Sequence, residues 1–391
     1  MTAKYICIFI AGCAIAACTQ NKVQETTPWG TTLGEDTAVT IGRAFSFEDI
    51  QRNGELIMLT LTGPDTYYDY RGRGMGTQYL LLEKFCQKIG VALRVEVCRD
   101  TAEMVRKLKS GDGDVIAFQL PHLKNLQSCG VSMDSAKTSW AVDKDNVALA
   151  DTLSSWFKPE MIAQVKKEED FMLSTRSITR RVYSPMLNRT GGVISHYDHY
   201  FKQYAPVARW DWRLLAAQCY QESTFDTQAK SWAGARGLMQ IMPATAAHLG
   251  LSMDLIHEPE PNIAAAVRYI KELNGHFMDI ANPQERCYFV LASYNGGFFH
   301  IRDAMALARK YGRNPHQWSN VSEFVLKLST PAFYNDPIVK HGYMRGSETV
   351  DYVQRIRSRW SQYCGFALPS SSSGFNLMEP QKAKHKNKFD K

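Results

Sequence analysis

Metal-type cysteine spacings are missing from this chain. It has nine cysteines, but none forms a CxxC pair or another ligand-like spacing, so no zinc ribbon or dithiol redox centre is expected. No internal repeat is visible. The glycine-rich Gly72-Arg73-Gly74-Met75-Gly76 does not match GxGxxG and has no GK[ST] after it, so it reads as a glycine turn rather than a nucleotide cradle. Charge of one sign is also in short supply: 46 Lys+Arg stand against 39 Asp+Glu, a net +7 concentrated partly at the C-terminus. A balance that moderate fits nucleic acid, an anionic envelope polymer or a lipid surface equally well. The apolar stretch that starts at Tyr5 is too short to cross a bilayer as a mature helix.

What is present is ordinary for a soluble globular protein. The 391 residues, 45% hydrophobic and 22% charged, leave room for two or three domains. Lys4, the apolar Tyr5 to Ile10 and the small residues that follow form a signal-like segment. Its end, Ile15-Ala16-Ala17-Cys18, resembles the bacterial lipobox. That resemblance implies cleavage after residue 17, lipidation of Cys18 and a membrane anchor; a plain secretory signal cut nearby is the other reading. With no Asp just after Cys18, the expected destination is the outer membrane, facing the periplasm. Residues 18–46, polar and rich in Thr and Gly, read as a tether. Cys86, Cys98, Cys129, Cys219, Cys287 and Cys364 then remain, with no pairing legible; Cys86 and Cys219 lie in apolar helical patterns and read as core thiols.

From residue 47 to 173 strand-like and helix-like runs alternate: strand Glu55–Leu61, helix Gln78–Ile89, strand Val91–Cys98, helix Ala102–Leu108, strand Asp114–Leu120. Alternation of that kind predicts a parallel α/β layer. Asp151 to Asp170 reads as one amphipathic helix with a solvated charge cluster. A polar, basic stretch at 174–194 marks a linker, and residues 195–365 are helical throughout, with Met242-Pro243 and Asn282-Pro283 as helix starts. His196 and His199 lack a third ligand at a recognisable spacing, so ring packing or exposure is favoured over a metal. The tail, 366–391, has no core-forming pattern and is expected to be disordered.

One carboxylate stands out. On a helix from about Trp210, Leu215, Cys219 and Glu222 share a face that is apolar except for Glu222. Burial and the negative helix end both favour the protonated form, which suits a general acid. A surface glutamate at a fraying helix end fits the pattern as well. Asp226 follows one turn later, as a second carboxylate or as a turn residue after the helix stops.

Four ordered segments narrow the choice. They are Gln221-Glu222-Ser223-x-Phe225, the run from Gly234 to Pro243 (GARGLMQIMP), Ala292-Ser293-Tyr294-Asn295-Gly296-Gly297, and Arg345-Gly346-Ser347-Glu348-Thr349-x-x-Tyr352-Val353. In that order they resemble the catalytic domain of the soluble-lytic-transglycosylase type, the goose-lysozyme-like family-23 glycosidases, over roughly 197–363. The stretch from Gly54 to Leu120 resembles the first lobe of family-3 solute-binding proteins, with the roughly hundred residues of a second lobe replaced by a short link. A lobe of that kind before such a catalytic domain is similar to the membrane-bound lytic transglycosylase F architecture, shortened. The fold expected is thus a single α/β lobe followed by an all-α lysozyme-like domain. Because solutes in that family sit between two lobes, no cleft is expected on this one, and a positioning or regulatory contact is expected in place of solute capture.

The resemblance implies cleavage of peptidoglycan glycan strands without a cofactor or metal and without nucleic acid as a partner. Glu222 would be the single acid and base and the product a 1,6-anhydro sugar. Ser223 would orient Glu222; Gly237, Leu238, Met239 and Gln240 would approach or line the sugar subsite; Tyr294 and Asn295 would floor it. Tyr352 would bond the acetamido region, and Glu348 would orient substrate or serve structure. For Leu238 and Met239 core packing is an equal alternative; for Tyr294 and Asn295 the other reading is a helix C-terminus with a buried Tyr. A lysozyme-like hydrolase and a non-catalytic envelope-binding scaffold are the rival functions.

Overall fold

The apolar run in Glu55–Thr60 is buried almost throughout, the signature of a strand covered on both faces. In a computed structural model that describes residues 45–133, 138–174 and 188–365, this run is β1, an interior strand of a five-stranded sheet. All described residues fall in one compact unit, 44–391. Expectations on the signal, Cys18, most of the tether and linker, and the tail lie outside the described residues.

After α1 (Phe47–Asn53) and β1 come a hairpin, β2 (Tyr68–Tyr70) and β3 (Arg73–Met75), then α2 (Thr77–Ile89), β4 (Ala92–Val97), α3 (Thr101–Ser110), β5 (Val115–Pro121), β6 (Leu126–Ser128), β7 (Thr138–Asp143), α4 (Val147–Trp156) and α5 (Glu160–Leu173). The sheet order is β4-β1-β5-β7-β6. β4, β1 and β5 run parallel, as the alternating pattern predicts, while β7 is antiparallel to both its neighbours. Alternate residues of β1 feed two cores: Leu56 and Met58 pack with α2, and Leu59 packs with Met104 and Leu108 of α3.

One expectation for this lobe is corrected and another is borne out. Asp151 to Asp170 is not one helix: α4 ends at Trp156, and Pro159, which has no N–H to continue the ladder, precedes the start of α5. The glycine-rich turn is the β2–β3 hairpin. Its two turn residues, Arg71 and Gly72, have φ of 55° and 75°, the paired positive values that a tight hairpin needs to match strand twist.

The helical part comprises α6 (Asp198–Ala208), α7 (Trp212–Ser223), α8 (Pro243–His248), α9 (Pro259–His276), α10 (Pro283–Gly296), α11 (Phe298–Lys310), α12 (Trp318–Lys327), α13 (Pro331–Tyr334) and α14 (Gly346–Cys364). The expected proline starts hold: Met242 caps α8, and Asn282 caps α10 by accepting from the N–H groups of Gln284 and Glu285. At the centre lies α7, buried on nearly every side, so that even Arg213 is enclosed and forked against Asp211. Each fully buried leucine on it, Leu214 and Leu215, contributes about 1.5–3 kcal/mol of hydrophobic stabilisation. Cys86, Cys98, Cys129, Cys219 and Cys287 are buried free thiols. Among the described residues no helix is long and apolar enough to cross a membrane.

Asp114, at the head of β5, is buried, with one oxygen accepting the Ile57 N–H at 2.7 Å and the other without a partner among the described residues. Burial pushes its carboxyl up to about 6, against the lowering effect of that hydrogen bond. The folded state therefore favours the protonated group. Its stabilising contribution is complete below the unfolded carboxyl's range near pH 4 and is lost as pH rises through about 6. Asp114→Asn should therefore raise stability more at pH 7.5 than at pH 4.5, by at most about 3 kcal/mol. Thermal denaturation at both pH values checks this, and an equal effect at both would count against it.

Candidate functional site

The C-terminus of α7 determines where the site lies. Its last turn closes onto Thr224, whose N–H donates to the Tyr220 carbonyl at 2.9 Å, and both Thr224 and Phe225 have positive φ, 55° and 64°. Two consecutive non-glycine residues in that region are uncommon. They turn the chain away at once and leave Glu222, 6% exposed, lining two cavities. One cavity is about 1360 Å³ and the other about 250 Å³.

Tyr352, on α14, donates its hydroxyl to Glu222 Oε1 at 2.5 Å and accepts from Gln218 Nε2 at 3.3 Å, one turn back on α7. Burial, then the Glu222 charge and this hydrogen bond, hold the Tyr352 phenol protonated far above its usual range. Tyr294, from α10, is held in the same way by burial and by Glu222, and donates to the Met239 carbonyl at 2.8 Å. Asn295 lies beside it, its Oδ1 accepting from Thr349 Oγ1 at 2.8 Å. Ser223 turns its hydroxyl back to the Cys219 carbonyl at 3.3 Å. Asp226 is buried just after the helix and accepts the Gln228 N–H at 2.9 Å, a turn-type contact.

The glycine loop divides differently from the sequence expectation. Leu238 and Met239 turn into the core, fully buried, and it is Gln240, Ile241 and Met242 that form this wall of the larger cavity. Gln240, at φ 47°, donates to the Ala229 and Gly237 carbonyls while its buried Oε1 has no partner among the described residues. Gly237 has a packing requirement of its own. It has φ 78°, and a Cβ there would stand 2.4 Å from both Asn262 Nδ2 and the Ile256 carbonyl. Asn262 of α9 pins the loop, accepting the Met239 N–H at 2.8 Å and donating to the Ile256 and Arg236 carbonyls. His196 and His199 pack against Tyr197 and Tyr200.

The lobe does border a cavity: its strand-end residues Leu61, Thr62 and Val97 to Thr101 line the larger one together with the helical part. The hairpin enters the site itself. Tyr70 donates to Glu348 at 2.6 Å, and Arg71 Nη2 pairs with Glu348 Oε1 at 2.9 Å. Burial works against the Arg71 charge, but Tyr70, Glu348 and Glu222 outweigh it. Trp232 stacks on Tyr70. Sequence reasoning missed Tyr70, Arg71, Gln218, Trp232 and Asn262. The run Tyr70-Arg71-Gly72 signalled a turn, but nothing along the chain signals a contact 277 residues away.

Residues 199–317 match the family model described as Transglycosylase SLT domain. Membrane-bound lytic murein transglycosylase F of Desulfosudis oleivorans is 26% identical over 410 residues, covering 78% of this chain and 89% of that protein. The protein of the same description from an Enterobacter species is 27% identical over 432 residues, 82% and 81% of the two chains; that from Citrobacter koseri is 32% identical over 292, 70% and 54%. Among solved structures, the 70 kDa soluble lytic transglycosylase of Escherichia coli is 24% identical with a TM-score of 0.31, over 47% of this chain and 26% of that one. Domain 1 from TmArgBP in its arginine-bound form is 16% identical with a TM-score of 0.24, over 29% and 96%. The chain carries a transglycosylase SLT domain and is similar over most of its length to membrane-bound lytic murein transglycosylase F.

Glycine contacts give this region its own test. Gly237→Ala should cost well over the ~1–2 kcal/mol of a left-handed alanine, because backbone and Asn262 must move as well. Gly250→Ala, at φ 69° with open space around it, should cost only that backbone share. Equal losses in thermal stability for the two variants would contradict the packing role.

Proposed function

We propose that the chain is a peptidoglycan lytic transglycosylase that cuts the β-1,4 bond between N-acetylmuramic acid and N-acetylglucosamine, with Glu222 as its sole acid and base. The observation that carries this reading is one buried carboxylate at the junction of two cavities, held by a tyrosine hydroxyl, while the nearby Glu348 is engaged by Arg71 and Tyr70. A carboxylate tied into an ion pair is a poor nucleophile, and ordinary retaining or inverting glycosidases need two working carboxyl groups.

In the first step the Glu222 carboxyl gives its proton to the glycosidic oxygen, the C1–O bond breaks, and the acetamido oxygen of the same sugar closes on C1. In the second, the C6 hydroxyl of that sugar attacks C1 and displaces the acetamido oxygen, and its proton goes to the Glu222 carboxylate. The 1,6-anhydro ring forms and the acid is restored without water. Tyr352, donating to Glu222 Oε1, supports the carboxylate between the two transfers. Tyr294, Asn295 and Gln240 line the groove, and the unpartnered Gln240 Oε1 is an acceptor for a substrate N–H. Ser223 acts through the α7 backbone it bonds. Glu348 serves by holding the hairpin, the route by which the α/β lobe reaches the reaction.

The enzyme works in the cell envelope. Lipid on Cys18 anchors it, at the outer membrane and facing the periplasm, where peptidoglycan is within reach of the tether; the signal-like first 17 residues support this.

Digesting purified sacculi and weighing the products tests the chemistry. Anhydro ends, lighter by one water than hydrolysed ends, are expected. Glu222→Gln should lower the rate at least about 100-fold with thermal stability retained. Water-added ends would indicate a lysozyme-like hydrolase, binding without cleavage a scaffold, and retained activity in Glu222→Gln another acid. Separately, Cys18→Ser should abolish fatty-acid labelling and move the protein from the membrane to the soluble fraction; labelling that persists would exclude this anchor.

A further inference from the structure

Gln218 is a fully buried amide in the middle of α7, flanked in the chain by the equally buried Ala217 and Cys219. It lines neither of the two cavities. A glutamine in such a position costs stability, because its amide is taken out of water and must find partners inside the core. Only one end of it is satisfied. Nε2 donates to the Tyr352 hydroxyl at 3.3 Å, while Oε1 has no partner among the described residues. Methionine, of similar length and with no amide, would fill the same space without leaving a buried acceptor unmet. Packing therefore gives no reason for an amide here, and its one partner does.

Gln218 and Glu222 stand four residues apart on α7 and so share a face, which lets a single hydroxyl from α14 touch both. Tyr352 does this, accepting from Gln218 and donating to Glu222 Oε1 at 2.5 Å. A phenol has one proton and can turn it to any acceptor in reach. The Gln218 N–H offers no acceptor, and by occupying one side of the phenol oxygen it leaves the proton directed at Glu222. It also polarises the O–H bond, which strengthens what Tyr352 donates. This bond matters most after the first transfer, when Glu222 is a carboxylate in a buried place. While Glu222 is still the acid, Oε1 is already engaged as an acceptor, which favours the transferable proton on the other oxygen. We propose that Gln218 is a positioning residue: through the Tyr352 hydroxyl it holds Glu222 in the hydrogen-bonded arrangement that serves both proton transfers. The proposal rests on the reading of Glu222 as the acid and base, and its test separates the two.

The experiment is a double-mutant cycle in the full chain, with kcat and KM measured on purified glycan strands for the unaltered protein, Gln218→Met, Tyr352→Phe and the two combined. Gln218→Met should lower kcat roughly 5- to 20-fold, the loss expected for one hydrogen bond. KM should stay within about twofold, since Gln218 does not reach the groove, and the melting temperature should not fall. Tyr352→Phe should lower kcat at least as far. With the hydroxyl gone Gln218 has nothing to act through, so the combined variant should match Tyr352→Phe within about twofold. Losses that multiply in the combined variant would overturn the proposal, as would full kcat in Gln218→Met or a change confined to KM. A Gln218→Met protein that melts lower, or does not fold, would make the glutamine a structural residue and overturn it too. If the unaltered protein releases no anhydro products, the reading of Glu222 fails; anhydro products at an undiminished rate from Gln218→Met defeat the role of Gln218 alone.

Discussion

The hydrogen bond between Tyr352 and Glu222 ties together the two helices on which the site depends. α7 carries the carboxylate out of the densest part of the core, and α14 crosses it to supply the hydroxyl. A buried carboxylate is tolerated only where donors meet it. Tyr352 is the donor seen here, and it is itself held by Gln218 from α7, so the helix that creates the demand also orients the group that meets it. The same crossing brings Thr349 to Asn295 on α10. Packing is close enough there that Gly296 has no room for a side chain beside Met344 and Thr349.

Around that crossing, the helical part works as half of a cleft. The α/β lobe presents its strand ends and its hairpin to the groove. The contact is chemically specific. Arg71 is a cation kept in a largely buried position by Glu348, Glu222 and Tyr70, and a buried charge without such partners would not persist. A lobe that had become a passive spacer would have no need to place an arginine among the carboxylates of its neighbour.

Much was legible along the chain. The elements of the α/β lobe follow from alternating runs and glycine stops, and the proline-started helices follow from local capping chemistry, because both depend on residues close in sequence. Glu222 could be singled out for the same reason, as the polar member of an apolar helical stripe. The reading faltered where burial could not be told from exposure. GARGLMQIMP mixes core and groove residues, and its direction is set by Asn262 of α9 rather than by its own pattern. The break before Pro159 is local in origin, because proline has no N–H with which to continue a helical ladder.

The sequence by itself determined the order of elements, the four motifs, the candidate carboxylate and the signal-like start, since each is written in spacing and residue type. Only the tertiary structure decided that Tyr352 serves Glu222, that Gly237 yields to Asn262, and that the hairpin of one lobe ends between Trp232 and Glu348 of the other. The reason is distance along the chain. Tyr70 and Glu348 are 278 positions apart, and no local propensity records a contact that forms only when two cores meet.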